Sequence, residues 1–354
     1  MRIAQVAPLY EAVPPQLYGG TERVVAHLAD ALVDLGHDVT LFAAADAGTR
    51  AALAPMRDRA LRLDPAPLKS DLAAHLDMLA RIRDRAPEFD ILHFHIDLLH
   101  FPMFEDIAHR TLTTLHGRLD LKDLPQAYRR WDAFPLVSIS DSQRAPLPFA
   151  NWHATVPHGL DPALYTFNPE PTGDYLAFLG RMSPEKRPDR AIAIASRAGM
   201  PLKIAAKVDA ADKAYFDRQI KPLLDNPLVE FVGEIGDADK AAFLGGARAL
   251  LFPIDWPEPF GMVVIEALSC GTPVIAWAHG SVPELLEDGV NGWIVGSIRE
   301  AVDGVRRLDR LDRRRCRDTF ESRFSAARMA RDYVAIYEAL TNVAGSDCLE
   351  AMTA

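Results

Sequence analysis

The chain has 354 residues, about half of them apolar, and a formal net charge of −10 at neutral pH. That length exceeds one typical hydrophobic core, so two domains are expected, with no low-complexity or long disordered tract. The acidic balance argues against a nucleic-acid binder, and the lack of any run of roughly 18 apolar residues argues against a transmembrane helix.

In chain order, short apolar runs alternate with helical patterns. Residues 3–7 read as a strand, in an apolar run shorter than that of a signal peptide. A loop with Pro14, Pro15, Gly19 and Gly20 follows, and Thr21 is the expected N-cap of a helix that runs to about residue 35 and closes at Gly36. Next come a strand at 39–43, a helix at 70–85, a strand at 91–94, a helix near 103–109 and a strand at 111–115. Strands at 137–140 and 154–156 finish the first half. The second half restarts with strand 175–179, helix 189–198, strand 202–206, helix 211–220, strand 229–232, helix 240–245 and strand 249–252. A short apolar helix at 262–268, strand 273–276, helix 282–286, strand 292–295 and a mostly helical stretch at 300–340 complete it. The repeated β-α order implies α/β architecture: two Rossmann-like halves with parallel sheets and a cleft between them, joined in the Pro/Gly-rich stretch 157–173. Ligands of such sheets sit at loops beyond the carboxyl ends of the strands.

The polar clusters fall at such loops. Trp256-Pro-Glu-Pro-Phe-Gly-Met-Val-Val-Ile-Glu-Ala-Leu places Glu258 before a helix and Glu266 on it. Carboxylates accept pairs of hydroxyl donors, and a helix N-terminus favours negative charge, which suits a ligand bearing hydroxyls and phosphate. Spacing alone leaves solvated or capping acids open. Gly180-Arg-Met-Ser-Pro-Glu-Lys-Arg-Pro188 puts Arg181 and Lys186 on a strand–loop–helix junction, an arrangement for an anion. Neither a Walker pattern nor a G-x-G-x-x-G fingerprint is present. Gly19 and Gly20 allow close approach of backbone to a ligand, or serve a loop that needs positive φ. His93 and His95 share a strand face, but nothing at ligand spacing completes a metal shell, so they read as hydrogen-bonded structural histidines. His116, a strand-end histidine before Gly117, is placed to contact substrate. Asp255 shares the Glu258 loop; Ser281 is a further N-cap candidate, with Glu284 beside that helix start, and Asp161 reads as a hinge residue. The aromatic and basic segment 121–131 reads as a solvated helix, or else as an acceptor or membrane-edge surface. Cys270, Cys316 and Cys348 are odd in number and lack metal spacing, so they read as free thiols in a reducing cytoplasm.

Together, Gly19-Gly20, His116-Gly117, Val156-Pro-His-Gly-Leu-Asp161, Gly180-Arg181 with Lys186, and Glu258 with Glu266 resemble the retaining GT-B glycosyltransferases of family 4, glycosyl transferases group 1. The resemblance covers nearly the whole chain. It implies a first domain at 1–165 that reads the acceptor, a donor domain at 166–325, and a C-terminal helix at 326–354 that crosses back to the first domain. It implies that Arg181 and Lys186 hold the donor diphosphate in place of a metal. Glu258 would take the sugar hydroxyls beside the backbone N–H groups of Phe260, Gly261 and Met262, and Glu266 the ribose. Gly20 would approach phosphate or acceptor, with Gly19 beside it, and His116 would line the reacting centre. The expected reaction is transfer of a sugar from a UDP-, GDP- or ADP-linked donor to a glycan, lipid-linked or small-molecule hydroxyl, with retention and neither metal nor cofactor. No nucleic-acid partner is expected; peripheral contact with an anionic membrane stays open. A nucleotide-sugar epimerase or hydrolase, or a non-catalytic nucleotide-sugar-binding protein, are the alternatives. Two departures stand out. His158 occupies a position where relatives often carry Asn, and His279-Gly280-Ser281-Val282 replaces a glycine pair, which bears on sugar preference.

Overall fold

A computed structural model describes residues 1–16 and 19–353, with the side chains of 343–353 outside the description, Cys348 among them. Its contacts divide the chain into two units: Met1–Asp161 with Ala326–Ala354, and Pro162–Ser325. The first unit contains β1 (Arg2–Val6), β2 (Asp38–Ala44), β3 (Ala52–Arg57), β4 (Ile91–Phe94), β5 (Thr111–Thr114), β6 (Leu136–Ser138) and β7 (Trp152–Thr155). They form one parallel sheet in the order β3-β2-β1-β4-β5-β6-β7. The second unit holds β8 (Leu176–Arg181), β9 (Leu202–Lys207), β10 (Val229–Gly233), β11 (Ala249–Phe252), β12 (Val274–Trp277) and β13 (Gly292–Val295). Their order is β10-β9-β8-β11-β12-β13, again all parallel. Each unit is thus a Rossmann-like sheet with helical crossovers.

Strands β4, β5, β11 and β12 are buried at every residue, as a sheet covered on both faces requires. Phe42, Leu92, Phe94, Phe101, Phe104 and Phe134 centre the first core; Ile192, Ile194, Ile204, Leu251 and Ile275 centre the second. The helix Gly20–Asp34 packs inward through Val24, Val25, Leu28 and Leu32. The helix Asp71–Arg85 is capped by Ser70, whose hydroxyl accepts the Ala73 N–H at 3.2 Å. Ser70→Ala should therefore cost about 1 kcal/mol, read as a lowered thermal midpoint with unchanged circular dichroism.

Three expectations are corrected and one strand is added. The added strand is β3; its Pro55 cannot donate to a ladder, but β3 is an edge strand and tolerates it. The helix expected at 211–220 is instead a succession: a 3₁₀ turn (Ala210–Asp212), an α turn (Lys213–Tyr215), a π turn (Phe216–Ile220) and another 3₁₀ turn (Lys221–Asp225). Pro222 has no N–H to continue an α ladder. Thr21 is not the N-cap; the helix begins at Gly20, and Gly19 occupies the cap without a side-chain bond. Likewise the helix near 103–109 is an α turn (Phe101–Phe104) followed by 3₁₀ backbone (Glu105–Arg110). No described helix is long and apolar enough to cross a membrane.

Candidate active site

In the second unit, two strand ends feed one cluster. After β8 a 3₁₀ turn (Pro184–Lys186) and Arg187, at φ 53°, lead into the helix Pro188–Ala198. After β11 residues 253–261 lead into the helix Met262–Ser269, with Gly261 at φ 89° as its N-cap. The Asp255 N–H donates to the Glu185 carbonyl at 2.8 Å and ties the loops together. The Lys186 ammonium donates to Glu258 Oε2, and Trp256 Nε1 donates to the same oxygen at 2.7 Å. The ammonium also lies 5.1 Å from the Trp256 ring centroid and 5.6 Å from that of Phe252. With side chains only 14 % and 12 % exposed, this is a largely desolvated ion pair, for which one-sided truncation is costly.

A third loop fixes the backbone of this cluster. The Ser281 N–H donates to the Glu258 carbonyl at 3.0 Å, and the Ser281 hydroxyl donates to the Phe260 carbonyl at 2.5 Å. Ser281 does precede the helix Val282–Leu285, but its hydroxyl serves Phe260 and makes no cap. Gly280 has φ +60°, and a Cβ there would lie 2.3 Å from both the N and the O of Glu258. The loop at 279–282 is therefore built against the backbone of Glu258.

Arg181 and Glu266 occupy different surroundings. Arg181 Nη2 donates to Glu185 Oε1 at 2.7 Å, while Asp209 and Asp212 stand 4.0 and 3.8 Å from its guanidinium. Its charge is thus met by three carboxylates, and burial pushes the Asp212 carboxyl above its usual range, Glu185 and Asp209 adding to the shift. Glu266 is buried in the helix Met262–Ser269. Its Oε1 accepts from Lys240 Nζ at 2.9 Å and from the Tyr165 hydroxyl at 3.4 Å, and Tyr165 also donates to Asp237 at 2.9 Å. Glu258 and Glu266 therefore serve two clusters. Arg187 and Arg190 both bind Asp255, at 2.8 and 3.0 Å, outside the Lys186 pair. Glu284 lies in the first turn of Val282–Leu285.

In the first unit, His116 belongs to a chain of imidazoles. His95 Nδ1 is 2.8 Å from His116 Nε2, and His116 Nδ1 is 3.4 Å from His158 Nε2, with those two rings stacked at 20°. His93 bonds Thr114 and Tyr337, each at 2.7 Å. His93 and His95 are structural hydrogen-bonding residues, and among the described residues no group of His, Cys, Asp and Glu is arranged to hold a metal. Burial drives the pKa of His116 from 6.5 down to about 3, and those of His93, His95 and His158 well below the usual value, neighbouring imidazoles adding to each. Between about pH 3 and 6.5 the unfolded chain binds protons that the folded one refuses, so stability falls as pH drops through that window. Circular dichroism across pH 7 to 4 should show unfolding set in below about pH 6.5, well before paired carboxylates titrate.

Elsewhere, Asp161 closes the first unit. The segment 121–131 carries the helix Leu124–Arg130, with Tyr128 buried and Arg129 stacked 4.0 Å over Phe149. Lys186, Glu258 and the Phe260 backbone come together as one cluster, Gly261 and Met262 start the adjoining helix, and Arg181 ends β8 just before the Lys186 turn. Lys240, Tyr165 and Asp237 escaped the sequence reading because no local spacing announces partners so distant in the chain. Gln5 was also missed, although a polar residue within an apolar, fully covered strand is itself a signal.

Comparison with known proteins supports the fold and names the family. Residues 167–318 match the family model for glycosyl transferases group 1, and residues 18–144 that for glycosyltransferase family 4; together these take in most of the chain. Glycogen synthase of Mycobacterium tuberculosis is 26% identical over 95% of this chain and 95% of its own length. D-inositol 3-phosphate glycosyltransferase of Mycolicibacterium smegmatis is 29% identical over 46% of this chain, an alignment that spans 39% of that enzyme. Among solved structures, AviGT4, a glycosyltransferase involved in avilamycin A biosynthesis, is 25% identical with a TM-score of 0.73, over 96% of this chain and 98% of its own. With a Rossmann-like sheet and a matching family model in each unit, the chain belongs to the family 4 glycosyltransferases of GT-B fold.

Proposed function

We propose that the chain transfers a sugar from a nucleotide-diphospho-sugar to a hydroxyl acceptor, with retention of configuration and without a divalent metal. The Lys186–Glu258 pair carries this reading. An ammonium has three donors, so one bond to Glu258 leaves others for phosphate oxygens, and no ion pair need break when a diphosphate arrives. Both the Lys186 and Trp256 bonds fall on Oε2 of Glu258, which assigns Oε1 to the sugar hydroxyls. The N–H groups of Phe260, Gly261 and Met262 adjoin it at the start of a helix. Glu266, oriented by Lys240 and Tyr165, is assigned to the ribose.

As the bond from the anomeric carbon to the phosphate oxygen breaks, its electron pair passes to the diphosphate. Lys186, and Arg181 once Glu185 yields it, stabilise that charge. The acceptor oxygen bonds the anomeric carbon from the face the phosphate leaves, and a phosphate oxygen takes the acceptor proton. His116, Gly19 and Gly20 are assigned to the same reaction by the motif they share with the family, and a cytoplasmic setting fits a nucleotide-sugar donor. The test is transfer from labelled UDP-, GDP- and ADP-sugars to a panel of sugar and lipid-linked hydroxyls, in EDTA, with the product anomer assigned by NMR. An α-linked product from an α-donor, undiminished by EDTA, is expected. Inversion, a metal requirement, or donor breakdown that needs no acceptor would overturn the reading.

A further inference from the structure

The imidazole chain of the first unit begins at a carboxamide. The β1–β4 register sets Gln5 opposite His93, and both side chains are wholly buried. The oxygen of Gln5 lies 2.9 Å from His95 Nε2. Its nitrogen lies 3.0 Å from the Tyr337 hydroxyl and 3.3 Å from His93 Nδ1. One amide thus joins two branches: His95, His116 and His158 on its oxygen side, and Tyr337, His93, Thr114 and Tyr333 on its nitrogen side.

We propose that Gln5 and His95 are positioning residues that lock His116 in the Nε2–H tautomer and leave its Nδ1 as a hydrogen-bond acceptor. An amide oxygen carries no proton, so His95 Nε2 must donate to it. A neutral imidazole has one N–H, and burial keeps these rings neutral at pH 7. His95 Nδ1 therefore accepts, and the ring nitrogen 2.8 Å away, His116 Nε2, must be the donor. His116 Nδ1 is left with its lone pair, directed at His158 Nε2 across 3.4 Å, a long and weak bond. The nitrogen side obeys the same logic: His93 Nδ1 accepts, and its Nε2–H donates to Thr114 at 2.7 Å. Reversing the amide would invert every role on both branches at once, so the network has two states and no intermediate. A carboxamide is the side chain that offers His95 an acceptor while offering the other branch two donors. An aliphatic residue at position 5 would release both.

The consequence for turnover rests on the proposed placement of His116 at the reacting centre; the tautomer itself does not. In the locked state His116 takes a hydroxyl hydrogen at Nδ1 and cannot serve as a proton donor there. Chemistry that sets a histidine's tautomer through its other ring nitrogen is a recurrent way to aim it.

The test is ¹⁵N NMR of histidine-labelled full-length protein, with the His116 signals assigned by their loss in His116→Gln. The unsubstituted protein should show the His116 proton on Nε2. Gln5→Glu should keep it there, because a carboxylate oxygen still accepts from His95, whereas Gln5→Leu should give a mixture of tautomers. Along with that mixture, kcat should fall about tenfold with little change in KM, the lower end of the loss when a metal-bound histidine loses the partner of its second nitrogen. A proton on Nδ1 of His116 in the unsubstituted protein, a reading that needs no variant to fold, overturns the proposal. So does a tautomer that Gln5→Leu leaves unchanged. Wild-type turnover in His116→Ala strikes instead at the placement of His116 in the reaction, whatever the spectra show.

Discussion

Lys186→Ala should lower kcat/KM by about 10²–10³, the loss found when one fixed donor to a developing anion is removed. The effect is large because Lys186 is the cation on this loop whose charge faces a single carboxylate within a mostly buried cluster. Arg181→Ala on the same loop should cost less, since Glu185, Asp209 and Asp212 already meet that guanidinium and a diphosphate would have to displace the first of them. Steady-state kinetics on the two variants would rank them, and acceptor binding with unchanged circular dichroism would show that the fold survives. Turnover in Lys186→Ala within a few-fold of the unsubstituted enzyme would sink the assignment of Lys186. A Lys186→Arg variant should recover only part of the loss, because the longer, planar guanidinium does not reproduce the compact ammonium's contact with Glu258 Oε2.

Gly280→Ala should be nearly as damaging, although Gly280 carries no functional group. Its φ of +60° disfavours alanine, and the added Cβ would lie 2.3 Å from the backbone N and O of Glu258 and 2.7 Å from the carbonyl carbon of Pro257. The backbone of Glu258 must move, and the Ser281 N–H bond to its carbonyl moves with it. A displacement of about 1 Å in a positioning group costs on the order of 10²-fold in kcat/KM, so donor turnover should fall by about that factor. Gly48→Ala is the control, because a Cβ there meets nothing within 4 Å. If Gly280→Ala kept its activity, Glu258 would not be a precisely held donor ligand, and the role given to it would fail.

The fold was legible in the sequence where the hydrophobic pattern was strong. Runs such as 91–94 and 249–252 are apolar, short and bounded by loops, and they appear as β4 and β11. Where a residue's role depends on its neighbours in space, the pattern misled. Pro55 hid an edge strand, and Pro222 ended an apparent helix in 3₁₀ and π turns. For the site, motif order brought out Lys186 and Glu258 individually, but their pairing spans 72 positions and belongs to the sheet that sets β8 beside β11. Asp209 and Asp212 beside Arg181 were invisible for the same reason, whereas Glu185 stood in the motif itself. His158, which looked like a departure from the family, turns out to be the far end of a chain of rings that starts at Gln5.

The chain leaves the first unit after Asp161 and rejoins it at Ala326, whose N–H donates to the Leu160 carbonyl at 2.8 Å. Exit and re-entry are thus hydrogen-bonded to each other. During synthesis, residues 162–325 are all joined before Tyr333 and Tyr337, which bond Thr114 and His93 of the first unit, are added. Once residue 325 has been added, the second unit's sequence is complete, whereas the buried His93 and Thr114 of the first still await Tyr337 and Tyr333. The unit that starts later in the sequence is thus the first whose sequence is complete.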